Sequence, residues 1–341
     1  MSAISYEDGA ISLAAIQAAS VVLRKSAHHT PVLTSTALDA LAGLELHFKC
    51  EVFQKTGSFK FRGAYNAVST LPPDAKAVVT HSSGNHAAAV ALAAQLRGIP
   101  AHIVVPSNTP RIKRSAVASY GGRLVVCEPT MEAREAACAA LQRDTGATFI
   151  PPFNSAAVIC GQGTIGLELM QQVHGLDAIV VPISGGGMCS GIAVAAKSLC
   201  PGIKIIAAEP SGRNAAADVA AAKAAGHLVP LPKPDTICDG LQARLGSITW
   251  PIIRDLVDEV VVVTEEQVAA AMRLCYERLK VVVEPSGAAG LAAALALKSG
   301  SGGDRFAGCE RVGVILCGGN VDLDEHVPLF WESWAQPRAP V

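Results

Sequence analysis

The chain has 341 residues, half of them hydrophobic, enough to bury a substantial core and to divide into two lobes. Only 17% are charged and the formal net charge is −1, which leaves no electrostatic footprint for nucleic acid or anionic lipid. No apolar run approaches the roughly 20 residues of a membrane span, Met1 to Tyr6 lacks the layout of a secretory signal, and the ten cysteines form no C-x-x-C pair. They read as reduced thiols of a cytoplasmic protein.

Short β-branched runs alternate with Ala-rich helical stretches, the pattern of parallel βαβ units. In chain order the predicted strands are Ala77–Thr80, His102–Val105, Leu124–Cys127, Ile179–Pro182, Ile205–Ala208 and Val312–Leu316. Between them lie predicted helices at Ala87–Arg97, Arg111–Ser119, Met131–Arg143, Gly163–Val173 and Met188–Leu199. Four βα units from about Ala77 to Ile150 make a small lobe, and the remainder builds a second sheet around it. Pro151-Pro152-Phe153-Asn154 marks a linker, because consecutive prolines break helix and sheet pairing. Pro230–Pro234 reads as a surface loop. Ligands of such sheets bind at the carboxyl ends of strands, so the strand-to-helix turns are where chemistry is expected.

The segment Lys55-Thr56-Gly57-Ser58-Phe59-Lys60-Phe61-Arg62-Gly63-Ala64 sets Lys60 between two phenylalanines at a helix start. Most lysines are solvated surface, but one held against apolar groups has its ammonium disfavoured, which frees an amine for Schiff-base chemistry. In Thr80-His81-Ser82-Ser83-Gly84-Asn85-His86, one serine or asparagine would be explained by helix capping. Two serines, a glycine, an asparagine and two histidines exceed that need, and N–H groups at the helix start suit a carboxylate. Ser184-Gly185-Gly186-Gly187-Met188 follows a strand and opens a helix, so its backbone can curl several N–H groups around one anion. Leu316-Cys317-Gly318-Gly319-Asn320 is a third strand-end turn, generic by itself. No H-E-x-x-H, zinc-spaced cluster, P-loop lysine or G-x-S-x-G elbow occurs.

Together these segments resemble the fold-type II pyridoxal-phosphate (PLP) enzymes, and within them the serine racemase and serine/threonine dehydratase family. The resemblance spans nearly the whole chain, taking in Thr30-Pro31-Val32-Leu33, Phe48-Lys49-Cys50-Glu51, Gly161-Gln162-Gly163-Thr164, Ala208-Glu209-Pro210, Trp250–Asp258 and Gly318-Gly319-Asn320-Val321-Asp322 in family order. It implies an α/β, tryptophan synthase β-like architecture of two open twisted domains with the cofactor in the cleft. Residues 1–76 and 155–341 would form the large PLP-binding domain and 77–154 the small substrate-binding domain.

The resemblance also implies residue roles. Lys60 would carry PLP, Asn85 would hydrogen-bond its ring hydroxyl, and Ser184, Gly185, Gly186, Gly187 and Met188 would cradle its phosphate. Asn154 would add a contact and Cys317 would face the pyridine nitrogen. Ser82, Ser83, Asn85 and His86 would receive the substrate carboxylate, with Arg134 a further contact. The implied activity is racemisation of serine by Lys60 and Ser83 on opposite faces, with dehydration to pyruvate and ammonia beside it. The alternative is a dedicated threonine/serine or threo-3-hydroxyaspartate ammonia-lyase. Three departures from the racemase pattern bear on that choice. They are Ser184 in place of a glycine, Cys317 in place of a serine, and Leu241-Gln242-Ala243-Arg244, whose Arg244 suits a second carboxylate. The family further implies a homodimer and a divalent cation (Mg²⁺, Ca²⁺ or Mn²⁺), here at Glu209, the carbonyl of Ala216 and Asp218 after a three-residue insertion. It also implies ATP as activator at Ser35, Thr36, Lys55, Thr56, Lys280 and Asn320, with Gln17 where an acidic residue is expected.

Overall fold

The computed structural model describes residues 3–109, 111–296 and 308–322. Its strands are β1 (Ser5–Tyr6), β2 (Ile11–Ser12), β3 (Val32–Leu33), β4 (Glu45–Cys50), β5 (Val78–His81) and β6 (Ala101–Pro106), then β7 (Arg123–Cys127), β8 (Thr148–Phe149), β9 (Ala178–Pro182), β10 (Lys204–Pro210), β11 (Glu259–Val263) and β12 (Arg311–Leu316). Apart from the β1–β2 hairpin they form two sheets. A six-stranded sheet has the order β11-β10-β9-β12-β4-β3, and a four-stranded sheet the order β7-β6-β5-β8. All pairings within them are parallel except β3 with β4.

Central strands of the large sheet are buried on both faces, which is why they read as unbroken apolar runs. Successive side chains point to opposite faces. Ala178 and Val180 of β9, with Ile206 and Ala208 of β10, enter one core, whereas Ile179, Val181, Ile205 and Ala207 enter the other. A separate core of alanines and valines under the helices Lys60–Ser69 and Asn85–Arg97 backs the small sheet. Among the described residues no helix is long and apolar enough to cross a membrane.

Two features fix the elements that carry the turns of interest. The helices Ala156–Gln172 and Gly187–Leu199 touch backbone to backbone. A Cβ on Gly191 would lie 2.4 Å from the Ile159 carbonyl oxygen and 2.5 Å from the Gly163 nitrogen. The first of these helices begins seven residues earlier than its predicted start at Gly163. Gly161 and Gly163 lie within it and are small because neighbouring backbone crowds them: a Cβ on Gly161 would sit 2.6 Å from the Arg62 carbonyl oxygen.

The second feature is a buried charge cluster behind Lys60. Arg62 bonds Glu51 through Nε (2.7 Å) and Nη2 (2.8 Å), and Glu168 through Nη1 (2.7 Å) and Nη2 (2.8 Å). Lys49 donates to Glu168 (2.7 Å), Gln172 (2.8 Å) and the Thr30 carbonyl (2.9 Å). Arg62, Lys49 and Glu51 are wholly buried. Two cations therefore face two carboxylates, and each holds the others' desolvation in check. Removing one member of such a buried set costs about 3–5 kcal/mol, because it strands its partner. Arg62→Met is expected to lower the thermal unfolding midpoint by several degrees. An unchanged midpoint would show that the cluster carries no stability.

Candidate active site

Each sheet reverses its winding direction at one place, and those places face one cleft. In the large sheet the reversal lies between β9 and β12; in the small one, between β5 and β8. Open α/β sheets bind ligands outside the carboxyl ends of strands at such points. After β9 comes Ser184–Met188, after β12 Cys317–Asn320, after β5 Ser82–Asn85, and after β8 Pro151–Asn154.

Lys60 opens the helix Lys60–Ser69. The segment before it is stitched to the end of β12: Phe59 N donates to the Cys317 carbonyl (3.0 Å), Gly319 N to the Gly57 carbonyl (2.9 Å), and Ser58 bridges Gly318. Lys60 Nζ stands 5.0 Å from the Phe59 ring centroid and donates to the Pro152 carbonyl at 2.9 Å. Burial lowers its pKa to about 8, against the opposing pull of Cys317 and Glu284. The thiol of Cys317 is driven in the other direction, well above its usual range, first by burial and then by Glu284. It donates to the Ser286 carbonyl at 3.4 Å. The site thus pairs a readily neutralised amine with a neutral thiol.

In the glycine turn, Gly186 has φ +89°, a conformation that glycine adopts without strain. A Cβ there would also lie 2.9 Å from Thr249, and one on Gly185 would lie 2.6 Å from the Phe153 ring. Thr249 Oγ1 donates to the Gly185 carbonyl at 2.7 Å and so fixes the turn. The N–H groups of Ser184, Gly185 and Gly186 have no acceptor among the described residues, and they sit at the start of the 13-residue helix Gly187–Leu199. Unmet donors at a helix N-terminus make an anion site. Pro152 and Phe153 join this turn to Lys60, since one takes the amine and the other packs on the glycines.

The small sheet contributes the third wall. Asn85 donates through Nδ2 to Glu284 (2.8 Å) and accepts from Asn320 Nδ2 (2.8 Å), which also reaches the Thr56 carbonyl (2.7 Å). Ser82 Oγ accepts from Gly84 N at 3.3 Å, whereas the hydroxyl of Ser83 makes no hydrogen bond among the described residues. His86 is buried, with Nε2 3.0 Å from the Ile150 carbonyl. That bond makes the other ring nitrogen an acceptor, so only the backbone N–H of His86 is available to a carboxylate. His86 can therefore meet a carboxylate through its backbone and not through its ring. Arg134 lies close enough to His81 to lower the pKa of that ring, and the Nε of Arg134 is buried with no partner among the described residues.

Some expected residues lie elsewhere in the cleft wall. Asn154 accepts from Ile248 N (2.9 Å) and donates to Ser247 (3.2 Å), bracing the 246–248 turn while its neighbour Phe153 lies over the glycines. Arg244 is exposed and donates to the Leu231 carbonyl (3.0 Å) near Asp218. Glu284 had not been singled out in the sequence. It is buried at the start of the helix Pro285–Ala296, with Cys317, Lys60 and Asn85 around it. Proline after a glutamate at the close of a valine run is the signal for it.

Unmet N–H groups at a glycine turn, a low-pKa amine, a neutral thiol and a paired asparagine are the donor set that PLP requires: phosphate, aldehyde, ring nitrogen and ring hydroxyl. A family model described as pyridoxal-phosphate dependent enzyme matches residues 23–318. The chain belongs to this family. Within it, the chain is 52% identical over 310 residues to a serine racemase of Oryza sativa subsp. indica, covering 90% of this chain and 88% of the relative. The solved maize serine racemase superposes with a TM-score of 0.89 at 50% identity, covering 95% of this chain and 98% of its own. A solved threonine deaminase of T.th. gives 0.84 at 40% identity, covering 91% and 99%. The fold is that of fold-type II PLP enzymes, and this chain is a PLP-dependent enzyme of the racemase and lyase group.

The lowered pKa gives a signed prediction. Lys60 is an ammonium below about pH 8 and a free amine above it, so PLP capture by cofactor-stripped protein should accelerate with pH around a midpoint near 8. A midpoint near 10.5, the ordinary value for lysine, would mean that Lys60 is solvated. Gly186→Ala is expected to retain the fold but to lose most of the visible absorbance of bound cofactor, through backbone strain of about 1–3 kcal/mol and collision with Thr249.

Proposed function

We propose that this chain is a PLP-dependent serine racemase, interconverting L- and D-serine, with a side reaction that dehydrates serine to pyruvate and ammonia. The observation that carries the reading is Ser83. Its hydroxyl makes no hydrogen bond among the described residues, and it lies three residues before His86, whose ring feels the charge of Lys60. The likeness to the rice and maize serine racemases supports it.

Lys60, Asn85, the Ser184–Met188 turn and Cys317 would hold the cofactor, which when bound supplies an electron sink for charge developing at the substrate Cα. The backbone N–H groups of Ser83 to His86, with Arg134, receive the substrate carboxylate. Lys60 Nζ removes the α-proton from one face, and Ser83 Oγ returns one from the other, inverting the centre. Departure of the β-hydroxyl begins from the same proton removal. The outcome depends on whether Ser83 or the leaving oxygen is protonated first. Cys317, whose thiol stays protonated, offers the ring nitrogen no negative charge that would hold a proton there. That thiol, with the likeness to a threonine deaminase, favours the second reading, a dedicated threonine/serine or threo-3-hydroxyaspartate ammonia-lyase. The engagement of Arg244 at the surface gives the diacid substrate no added support.

The same reading extends to the rest of the molecule. Residues 77–154 form the small substrate-binding domain, and 1–76 with 155–341 the large one, whose ends 1–2 and 323–341 and segment 297–307 lie outside the described residues. Glu209 and Asp218 are buried and close; burial, reinforced by Asp218, raises Glu209 to about 7, and burial raises Asp218 as well. A divalent cation held by these carboxylates and the Ala216 carbonyl would relieve that strain. Oxygen ligands suit Mg²⁺, Ca²⁺ or Mn²⁺. ATP would bind near Thr56 and Asn320, which are hydrogen-bonded to each other, with Ser35, Thr36, Lys55 and Lys280 as further contacts. Phe53 and Val282, 47% and 51% exposed beside that region, suit the interface of a homodimer. Ten free cysteines suit a reducing compartment such as the cytoplasm.

Incubation with L-serine, PLP and Mg²⁺, following D-serine by chiral chromatography and pyruvate in parallel, tests the reading. D-serine beside pyruvate is expected; pyruvate alone makes the protein a lyase. Ser83→Ala should suppress racemisation roughly 10²–10⁴-fold and elimination far less, and equal losses would count against two-base inversion. A chelator should lower the melting temperature of the holoenzyme and Mg²⁺ restore it, whereas no shift removes the cation site. Unchanged turnover on saturating Mg-ATP removes the activator.

A further inference from the structure

His86 is the second residue of the helix Asn85–Arg97 and is 3% exposed. Its Nε2 lies 3.0 Å from the Ile150 carbonyl oxygen. A carbonyl only accepts, so the ring proton is on Nε2 and Nδ1 presents a lone pair. Burial, and next the charge of Lys60, lowers the ring's pKa to about 3, which keeps this neutral tautomer at working pH. Nδ1 is fully enclosed and no group among the described residues donates to it. A buried acceptor without a donor is rare and calls for an occupant. The cation that perturbs the ring most is Lys60, whose Nζ donates to the Pro152 carbonyl, two residues after the carbonyl that fixes His86.

We infer that, once substrate has displaced Lys60 from the cofactor, Nζ turns from its present place at the Pro152 carbonyl far enough to donate an N–H to His86 Nδ1 as well, and takes up the α-proton of the substrate from there. The inference rests on Lys60 being the base. In this step the Cα–H bond breaks and its electron pair stays with the substrate carbon, drained toward the cofactor. The Lys60 lone pair forms the new N–H bond. The resulting ammonium has three N–H bonds: one points to Pro152 O, one to His86 Nδ1, and the third holds the proton just taken. His86 is a positioning residue. It aims the lone pair at Cα, and it stabilises the ammonium that forms without competing for the proton.

Two substitutions separate this role from mere anchoring. His86→Gln places an amide where Nε2 was, keeping the bond to Ile150 and losing the Nδ1 acceptor. His86→Asn places its Oδ1 where Nδ1 was, keeping the acceptor and losing the anchor. Exchange of the L-serine α-proton in D₂O reads the Lys60 step directly. His86→Gln should slow it roughly ten- to hundredfold, the effect of one hydrogen bond to a charged group, with KM little changed. His86→Asn should stay within about threefold of the wild type, since it restores that bond. The reverse order, equal losses, or no loss in either variant would overturn the inference. An independent reading is the ¹⁵N shift of His86 Nδ1 in the holoenzyme on adding α-methylserine, which displaces the lysine but has no α-proton. A move from a bare to a donor-bound shift is expected, and a fixed shift after displacement contradicts the inference. Wild-type protein that exchanges no α-proton would instead refute Lys60 as the base, and the role of His86 with it.

Discussion

Lys60 has to meet two demands that oppose each other: an amine must lose its proton near neutral pH, yet stand where two sheets meet and where substrate arrives. Apolar burial meets the first demand, since it lowers the amine to about pH 8 even with Glu284 and Cys317 nearby. The second is met by stitching residues 57–59 to the end of β12 and giving the amine the carbonyl of Pro152. Because Pro152 and Phe153 lie on the connection from β8 back to the large sheet, the position of the lysine is tied to both sheets and to the glycine turn at once. Neighbouring site residues inherit their places from this arrangement.

The buried cluster of Arg62, Glu51, Glu168 and Lys49 supports it from behind. A helix whose first residue is a desolvated lysine has little local reason to stay put, and Arg62, two residues on, anchors it to Glu51 just after β4 and to the helix Ala156–Gln172. The latter helix packs through Gly163 against Gly191 in the helix that the glycine turn opens. A chain of close contacts thus runs from the lysine's helix to the anion site without crossing solvent.

Much of this was legible in the residues, and what was not has physical causes. Predicted β9, β10 and β12 lie within the observed strands, because strands buried on both faces are plain apolar runs. The glycine turn and Lys60 stood out for their chemistry. By contrast, β4 was hidden by His47 and Lys49, polar residues that are buried and paired with Glu45 and Glu168. The start of the helix Ala156–Gln172 was masked by glycines chosen for close packing. Glu284 was missed because its partner Asn85 is 199 residues away, and no local pattern signals such a pairing. The acceptor role of the His86 ring depends on a carbonyl 64 residues distant and is visible only in three dimensions.

The claim on which everything else stands is that Lys60 alone carries the cofactor. Borohydride reduction of the PLP-loaded protein, followed by proteolysis and mass spectrometry, locates that bond. The account predicts one phosphopyridoxyl adduct per chain, on the peptide containing Lys60. An adduct on Lys49, Lys223 or any other lysine, or none at all, would contradict it.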